Sequence, residues 1–356
     1  MFQSLPLVAL IAIFIVAAIA VWIAGIQLSN STDILSDRFH LGQALGGLIL
    51  LAIATNLPEI AITATAGLTH NLDIATGNIL GGIALQTVVL VILDAFGARR
   101  KDALSHLASS IELSLEGILV IAVLVISIMG TQLPQGVAFL RMSPSALLIL
   151  VVWLVGLWLL SKARKDLPWQ IKEQDSKLNL SPQDSRKQQK EKEKKQKTST
   201  GRALLIFIMA SVITLIAGAA LEFSGDAIAK DTGLSGVLFG ATVLAAATSL
   251  PEISTGLQST WIGDYELAFS DIFGGNAFLP VLFILADLLS GQAVLPQAQK
   301  SDIYLASLGC LLTAVYIYGL IFRQPKQLFH RLGIDSTTVL CTYLIAIIGI
   351  IFIPGK

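Results

Sequence analysis

The sequence has few charged residues for its length. Of its 356 residues, 13% are Asp, Glu, Lys or Arg, whereas a soluble globular protein has roughly 25%. Hydrophobic residues make up 54%, and the mean hydropathy is +0.76. The formal net charge is zero, so overall charge indicates no partner, and we expect no nucleic-acid partner. Low charge combined with long apolar runs predicts a multi-pass integral membrane protein.

Cysteine is equally scarce. Cys310 and Cys341 both fall in apolar segments, with no spacing typical of a disulfide framework or a cysteine metal site, so we expect membrane-buried thiols. The predicted spans also lack a zinc-protease helix motif and a serine elbow. We therefore expect neither a cofactor nor enzymatic activity, and an intramembrane enzyme is the least favoured function.

Long apolar runs, in contrast, are abundant. A membrane-spanning helix needs about 20 apolar residues. Ten stretches meet this requirement, which predicts an all-α protein with ten transmembrane helices. They lie near 5–25, 42–69, 72–94, 111–130, 145–162, 203–223, 236–262, 265–290, 302–322 and 337–354. No Lys or Arg precedes the first stretch, so we interpret it as a retained span and not as a signal peptide.

Basic residues indicate the orientation in the membrane. Lys and Arg accumulate in short cytoplasmic loops. Here they concentrate after the third, fifth and ninth stretches, at Arg99, Arg100 and Lys101, in a long Lys-rich segment, and at Arg323, Lys326 and Arg331. We therefore expect a cell-membrane protein with these loops in the cytoplasm and both termini outside.

The Lys-, Gln- and Glu-rich segment 163–202 divides the chain. Its low apolar content predicts a disordered cytoplasmic linker. Attraction of its lysines to anionic lipid headgroups is the alternative role. The flanking halves, 1–162 and 203–356, would each contain five spans.

An internal repeat relates the two halves. Shifting the chain by 193, the difference between 252 and 59, places TNLPEI at 55–60 over TSLPEI at 248–253 without a gap. The repeated cores cover about 42–94 and 236–287. Other matched pairs are Leu28 and Leu221, Ser31 and Ser224, Asp33 and Asp226, Gly81 and Gly274, Gly82 and Gly275, and Asp94 and Asp287.

Five spans per half is an odd number, so the second half must enter the membrane from the side opposite to the first. The sequence thus predicts two inverted five-helix repeats. Secondary transporters have this architecture, and they typically bind substrate near the midplane on interrupted helices.

Each repeated motif combines a helix breaker with a carboxylate. Pro58 and Pro251 remove a backbone donor and leave carbonyl groups one turn earlier without helical partners. Glu59 and Glu252 add negative charge. Helical spacing places further oxygens on the same face as each glutamate. The two faces comprise Ala52, Thr55, Asn56 and Glu59 in the first half, and Ala245, Thr248, Ser249 and Glu252 in the second.

Such an oxygen cage suits a hard cation such as calcium, which takes six to eight oxygen ligands. The motifs GNILGG at 77–82 and SDIFGG at 270–275 add Asn78 and Asp271. An intramembrane carboxylate such as Asp271 is a functional candidate by default. By comparison, Asp94, Asp287, Glu112 and Glu116 lie near span ends, where we expect water to reach them.

These motifs resemble the two alpha repeats of the sodium/calcium exchanger family of calcium/cation antiporters. TNLPE with GNILGG is similar to the first repeat, and TSLPE with DIFGGN to the second. The resemblance implies a minimal exchanger of the prokaryotic type, in which the two glutamates bind calcium and exchange it for sodium. It also implies ligand roles for Ala52, Thr55, Glu59, Ala245, Thr248, Ser249 and Glu252.

The sequence departs from the family pattern at several ligand positions. Asn56 replaces a serine, Gly82 and Gly275 replace serines of the usual Gly-Ser pairs, and Gln86 and Leu279 replace Asn or Asp. We hypothesise that Asp271, one turn before Gly275, partly replaces the missing oxygens.

The prediction is an antiporter that exchanges calcium, or a similar divalent cation, for sodium by alternating access at a two-glutamate site. Two carboxylates neutralise one calcium, two sodium ions or two protons, and this competition would couple the fluxes. A proton-coupled antiporter on the same fold is the alternative, and a cation channel is less favoured. In either case the expected partners are inorganic cations and the lipid bilayer.

Overall fold

The structure is a computed structural model. It describes residues 5–39, 51–97, 102–108, 110–134, 142–166, 198–234, 236–322, 327–329 and 332–353. Most of the 163–202 segment, including 167–197, lies outside this part of the chain, so its predicted disorder and lipid contact stay predictions.

The described residues form helices with one short hairpin. In chain order the helices are α1 (Leu7–Arg38), α2 (Leu51–Thr55), α3 (Leu57–Leu68), α4 (Leu72–Phe96), α5 (Leu104–Leu107), α6 (Ile111–Gly130), α7 (Pro144–Asp166), α8 (Thr200–Thr232), α9 (236–248), α10 (Leu250–Ile262), α11 (Tyr265–Ser290), α12 (Lys300–Phe322) and α13 (Ile334–Ile351). A 3₁₀ turn covers Leu295–Gln297. Strands β1 (Gln327–Phe329) and β2 (Leu332–Gly333) pair antiparallel between α12 and α13. This hairpin was not expected from the sequence.

Seven described helices are long and apolar enough to cross a membrane, namely α1, α4, α6, α7, α8, α11 and α12. Their exposed faces are apolar; Trp158 of α7 is 60% exposed and Ile216 of α8 is 67% exposed. A surface of this kind is suited to lipid contact. The protein is therefore a multi-pass helical membrane protein. In the stretches predicted as the second, seventh and tenth spans, the described helices are shorter than these seven.

The two repeated motifs explain why the second and seventh stretches are each divided into two short helices. The chain leaves helical geometry at Asn56 (φ −90°, ψ 15°) and at Ser249 (φ −82°, ψ 0°). Each is followed two residues later by a proline in the first turn of α3 or α10, a position that tolerates a missing amide donor. Both residues then accept the first hydrogen bond of the new helix, from Ile60 and Ile253, each at 3.0 Å.

The helices α1 and α8 are longer than predicted, at 32 and 33 residues. Polar residues end the apolar runs, but the helices continue because hydroxyl groups are satisfied within them. The Ser31 hydroxyl donates to the Gln27 carbonyl at 2.6 Å, and the Ser224 hydroxyl donates to the Ala220 carbonyl at 2.6 Å. This back-bonding satisfies buried hydroxyls without breaking a helix.

The long helices pack against each other and against the interrupted helices of the opposite half. A Cβ added at Gly25 of α1 would lie 2.5 Å from the Pro251 ring of α10. A Cβ added at Gly218 of α8 would lie 2.7 Å from Ala61 Cβ and 3.0 Å from the Pro58 carbonyl oxygen, both on α3. Gly25 and Gly218 are a matched pair in the 193-residue shift, so the two contacts are reciprocal.

A second close approach joins α4 and α9. Each contains one π-helical segment, Gly77–Gly81 in α4 and Gly240–Leu244 in α9, and the two segments are in contact. A Cβ at Gly240 would lie 3.1 Å from the backbone nitrogen of Asn78, and a Cβ at Gly81 would collide with Ala241. Single π-helical turns inside α-helices occur frequently at functional sites.

Aromatic packing anchors α11, the helix that carries Asp271. The Phe269 ring meets the Phe273 ring edge-on at 5.7 Å between centroids, and it meets the Tyr316 ring of α12 at 5.5 Å. All three side chains are fully buried. Edge-to-face pairs each contribute about 0.5–1.5 kcal/mol beyond their buried area, so this part of α11 is held firmly.

The expectation that water reaches Asp94, Asp287 and Glu116 is wrong, since all three carboxylates are buried. The Ser270 hydroxyl donates a hydrogen bond of 3.0 Å to Oε1 of Glu116. Asp94 accepts hydrogen bonds from the Leu104 and Gly333 amides, each at 2.7 Å. Asp287 accepts hydrogen bonds from the Val294 and Ser143 amides, each at 2.8 Å. Each aspartate thus joins the segment after its own helix to the residue that precedes another helix, α13 for Asp94 and α7 for Asp287. Backbone donors replace water because the two aspartates lie under connecting segments.

Candidate functional site

The two motif glutamates lie in the interior of the protein. Glu59 is in the first turn of α3 and Glu252 is in the first turn of α10. Their side chains are 1% and 2% exposed, respectively. The proline-induced restart of each helix places the glutamate directly after the break, at a helix N-terminus, which favours negative charge.

The structure brings these carboxylates together. Glu252 lies close enough to Glu59 and to Asp271 for their negative charges to repel one another. The Thr248 hydroxyl of the second half interacts with the Glu59 carboxylate of the first half. Residues separated by almost 200 positions therefore share one buried site. Like charges that repel each other in a buried site need a cation or protons to offset their repulsion.

The oxygen-bearing side chains of the two motifs are buried as well. Thr55, Asn56, Thr248 and Ser249 are all buried. Both hydroxyls of the second motif donate to the Ala245 carbonyl, Thr248 at 3.2 Å and Ser249 at 2.8 Å. Two of the predicted side-chain oxygens thus converge on this carbonyl, which is itself a predicted ligand. Ala52 lies in α2, but its side chain is outside the described part of the structure.

Asp271 is also buried, with 8% of its surface exposed. Its Oδ2 accepts a hydrogen bond of 3.0 Å from the Thr255 hydroxyl. Thr255 follows Glu252 in α10, so α10 and α11 are joined beside the second glutamate. A hydrogen bond from Thr255 fixes the orientation of the Asp271 carboxylate and leaves its charge in place.

Asn78 is completely buried in the π-helical segment of α4. Within the described residues, neither its amide oxygen nor its amide nitrogen has a hydrogen-bond partner. The structure therefore places Asn78 at the crossing of α4 and α9 without joining its side chain to the glutamates. Unsatisfied buried amides are costly, and a bound ion or water is one way to satisfy them.

Two further residues, at positions where the sequence departs from the family pattern and where we predicted no ligand, contact the predicted site residues. The Gln86 amide donates a hydrogen bond of 3.3 Å to Oε1 of Glu59. A Cβ added at Gly275 would lie 3.0 Å from Asn56 Nδ2 and 3.7 Å from Gln86 Oε1. Gly275 thus provides space for the Asn56 and Gln86 amides. The signal in the sequence was the spacing of Gln86, which lies one helical turn after Gly82.

The described residues contain no group of three or more His, Cys, Asp or Glu side chains arranged to hold a metal ion by themselves. A cation at this site would therefore depend on neutral oxygens in addition to carboxylates. Among the described residues the candidates are the hydroxyls, amides and carbonyls of the two motifs. This composition suits a hard cation, since calcium accepts carboxylate, carbonyl, amide and hydroxyl oxygens.

Buried carboxylates within a bundle of apolar, lipid-facing helices are typical of membrane transporters of ions. The chain matches the family model described as sodium/calcium exchanger protein over residues 9–165 and 202–352. It therefore belongs to the sodium/calcium exchanger protein family, whose members are membrane cation exchangers.

Two relatives are each 25% identical in sequence. The putative antiporter CaxA of Alkalimonas amylolytica matches over 291 residues, which cover 82% of both chains. The inner membrane protein YrbG of Escherichia coli strain K12 matches over 327 residues, which cover 92% of this chain and 93% of that protein.

Solved structures show the same fold at lower identity. The H+/Ca2+ exchanger CAX superposes with a TM-score of 0.67 at 14% identity, covering 97% of this chain and 82% of that one. The sodium-calcium exchanger NCX_Mj superposes with a TM-score of 0.61 at 16% identity, covering 96% of this chain and 99% of that one.

Proposed function

We propose that this protein is a secondary antiporter that exchanges calcium, or a similar divalent cation, for sodium by alternating access. The observation that supports this proposal most directly is the buried pair Glu59 and Glu252, two repelling carboxylates that come from different halves of the chain. A divalent cation between them would neutralise both charges. An empty pair would carry uncompensated charge, which opposes return of the unloaded site.

The proposed ligands extend the carboxylate pair with neutral oxygens. They are Glu59, Glu252, Thr55, Thr248, Ser249, Asn56, Asp271, Asn78 and the backbone carbonyls of Ala52 and Ala245. Convergence of the Thr248 and Ser249 hydroxyls on the Ala245 carbonyl supports the second-half set. The burial of Asp271 beside Glu252 supports its role as a replacement for the hydroxyls that Gly82 and Gly275 lack.

We further propose that the chain forms two inverted five-span halves, giving ten spans, with both termini outside and the 163–202 segment in the cytoplasm. The reciprocal contacts Gly25–Pro251 and Gly218–Pro58 support a two-fold relation between the halves. Asp94 and Asp287, which hold equivalent connections, support the same relation. On this basis α1 and α8 form one unit that slides across the carboxylate site.

Proton coupling is the second candidate. Gly82, Gly275 and Leu279 provide no side-chain oxygen at positions where exchangers of this family usually have one. Three buried carboxylates, on the other hand, are available to accept protons. The names of the relatives support both candidates, since the solved structures include an H+/Ca2+ exchanger and a sodium-calcium exchanger.

The experiment is gradient-driven calcium uptake into vesicles that contain the purified protein. Imposed sodium and proton gradients are compared as driving forces, with Glu59→Gln and Glu252→Gln as the variants. We expect uptake that requires one of the two gradients and disappears in both variants. Uptake without any counter-ion requirement would indicate a channel, and uptake that persists in both variants would reject the proposed site.

A further inference from the structure

Another buried acidic residue lies away from the central site. Glu222 of α8 is 1% exposed, and it follows Gly218 by four residues on the same helix face. Gly218 contacts Pro58 and Ala61 of α3. Glu222 is therefore one helical turn, about 6 Å, beyond the level of Pro58, which immediately precedes Glu59. This places it between the central carboxylates and the turn that joins α3 to α4.

That turn provides the hydrogen-bond partner of Glu222. The Asn71 amide nitrogen Nδ2 donates to Glu222 Oε1 at 3.4 Å. Asn71 is fixed by the end of α3, because its backbone amide donates to the Ala66 carbonyl at 2.8 Å and His70 adopts a left-handed conformation with φ 58°. This pattern is a Schellman-type helix end. The carboxylate thus bridges α8 to the rigid end of α3.

Among the described residues, no cation forms a direct ion pair with Glu222. Asn71 is a neutral donor, and Oε2 of Glu222 is buried without a hydrogen-bond partner in the described residues. The charged groups that act on it are Asp226 and Lys230 of the same helix, and these pair with each other at 2.6 Å. A buried carboxylate without its own counter-charge is costly unless a cation or a proton neutralises it.

The opposite half lacks this carboxylate. The 193-residue shift pairs Gly218 with Gly25 and Asp226 with Asp33, but it pairs Glu222 with Ser29. Ser29 is only partly buried. Glu222 and Ser29 therefore occupy equivalent positions, each four residues after the glycine that contacts a motif proline. One side of the site has a carboxylate at this position, and the other side has a hydroxyl. A functional role of Glu222 must consequently act on one face of the membrane.

We propose that Glu222 is a second cation-binding position, which calcium occupies briefly on its way between the Glu59–Glu252 site and the membrane face that carries the 69–71 turn. The proposal rests on the proposed antiport function. Clefts lined by negative charge concentrate cations and raise their rate of arrival by about 10- to 1,000-fold, and Glu222 would contribute to such an effect on its side of the site. Asn71 orients the carboxylate, and Oε2 remains available to the ion.

The test measures initial calcium uptake at limiting calcium in vesicles of determined orientation, with calcium applied to each face in turn. Glu222→Gln is expected to lower the ratio of the rate from the 69–71 face to the rate from the opposite face by about tenfold. Glu222→Asp, which keeps the charge, is expected to restore most of this ratio. Asp226→Asn, a matched loss of one charge on the same helix, is expected to leave the ratio unchanged.

Three results would overturn the inference. An unchanged ratio in Glu222→Gln, an equal fall in rate from both faces, or the same change in ratio in Asp226→Asn would each assign Glu222 a structural or general electrostatic role. If the ratio is unchanged in Glu222→Gln while Glu59→Gln loses transport, the inference about Glu222 fails and the proposed antiport function still stands. Absence of calcium flux in the wild-type protein would overturn both proposals.

Discussion

A Cβ added at Gly218 of α8 would lie 3.0 Å from the carbonyl oxygen of Pro58 in α3. Pro58 interrupts the helix that carries Glu59, so this glycine brings a long continuous helix against the breakpoint of the site. Gly25 of α1 makes the matching contact with Pro251. The proposed movement of α1 and α8 past the site depends on smooth surfaces at these two positions, because any side chain there would project into a proline-containing turn.

Gly218→Leu is therefore expected to abolish transport and to destabilise the protein by about 1–3 kcal/mol, as overpacking of a close contact does. Gly201→Leu is the matched control, since a Cβ at Gly201 of the same helix meets nothing within 4 Å. Vesicle transport and the thermal midpoint in detergent measure the two effects. Normal transport by Gly218→Leu would contradict the proposed sliding of α8.

Gln86 is expected to orient the Glu59 carboxylate, to which its amide donates a hydrogen bond of 3.3 Å. Gln86→Leu removes a hydrogen bond to a charged group, which contributes about 1.5–3 kcal/mol. We expect calcium affinity to fall by roughly tenfold or more, as measured by titration calorimetry. Gln132→Leu, on an exposed glutamine beyond α6, should bind normally. Unchanged affinity in Gln86→Leu would remove this residue from the site.

Asp271 is expected to contribute charge to the cation site, whereas Thr255 orients it. Asp271→Asn preserves the shape and removes the charge, so we expect weaker calcium binding and slower exchange. Thr255→Val removes the 3.0 Å hydrogen bond but keeps the carboxylate, so its effect should be smaller. If Asp271→Asn leaves both affinity and exchange as they are in the wild type, the replacement hypothesis fails.

The buried aspartates at the connections should behave differently from the glutamates. In Asp94→Asn one carboxylate oxygen that accepts a backbone amide is replaced by an NH2 donor, and the unsatisfied amide should cost about 1–3 kcal/mol. We expect a lower thermal midpoint with calcium binding retained in the folded fraction, and the same for Asp287→Asn. Glu112→Gln, on a partly exposed acid of α6, is the control.

Loss of calcium binding in Asp94→Asn at an unchanged thermal midpoint would contradict this assignment, because it would give the aspartate a direct role in the cation site. Glu59→Gln should show the opposite pattern, with binding lost and folding retained. Glu59→Gln removes one of two repelling charges and keeps an oxygen that can accept the hydrogen bond from Gln86.

The repeated motif made much of the site predictable. Pro58 and Pro251 interrupt their helices where the sequence places them, because a missing amide has the same consequence in any context. The burial of Glu59 and Glu252 follows from their apolar surroundings. The length of α1 and α8 was not predictable, since a hydropathy run ends at polar residues that a helix accommodates through serine back-bonding.

Hydrogen-bond partners that come from different helices could not be predicted from the sequence either. Spacing alone did not indicate that Gln86 donates to Glu59, or that Asp94 and Asp287 accept amides from distant segments. Glu222 was missed because it lies at the end of its apolar run, where polar residues usually meet water. In each case the partner is a residue or backbone amide from another element, and only the tertiary structure brings the two together.

Calcium titration of the purified protein tests the central claim most directly. If Glu59 and Glu252 share one cation, the wild-type protein should bind calcium at this site, and Glu59→Gln and Glu252→Gln should each lose that binding while remaining folded. Calcium binding that survives in either variant with little change in affinity would contradict a shared site.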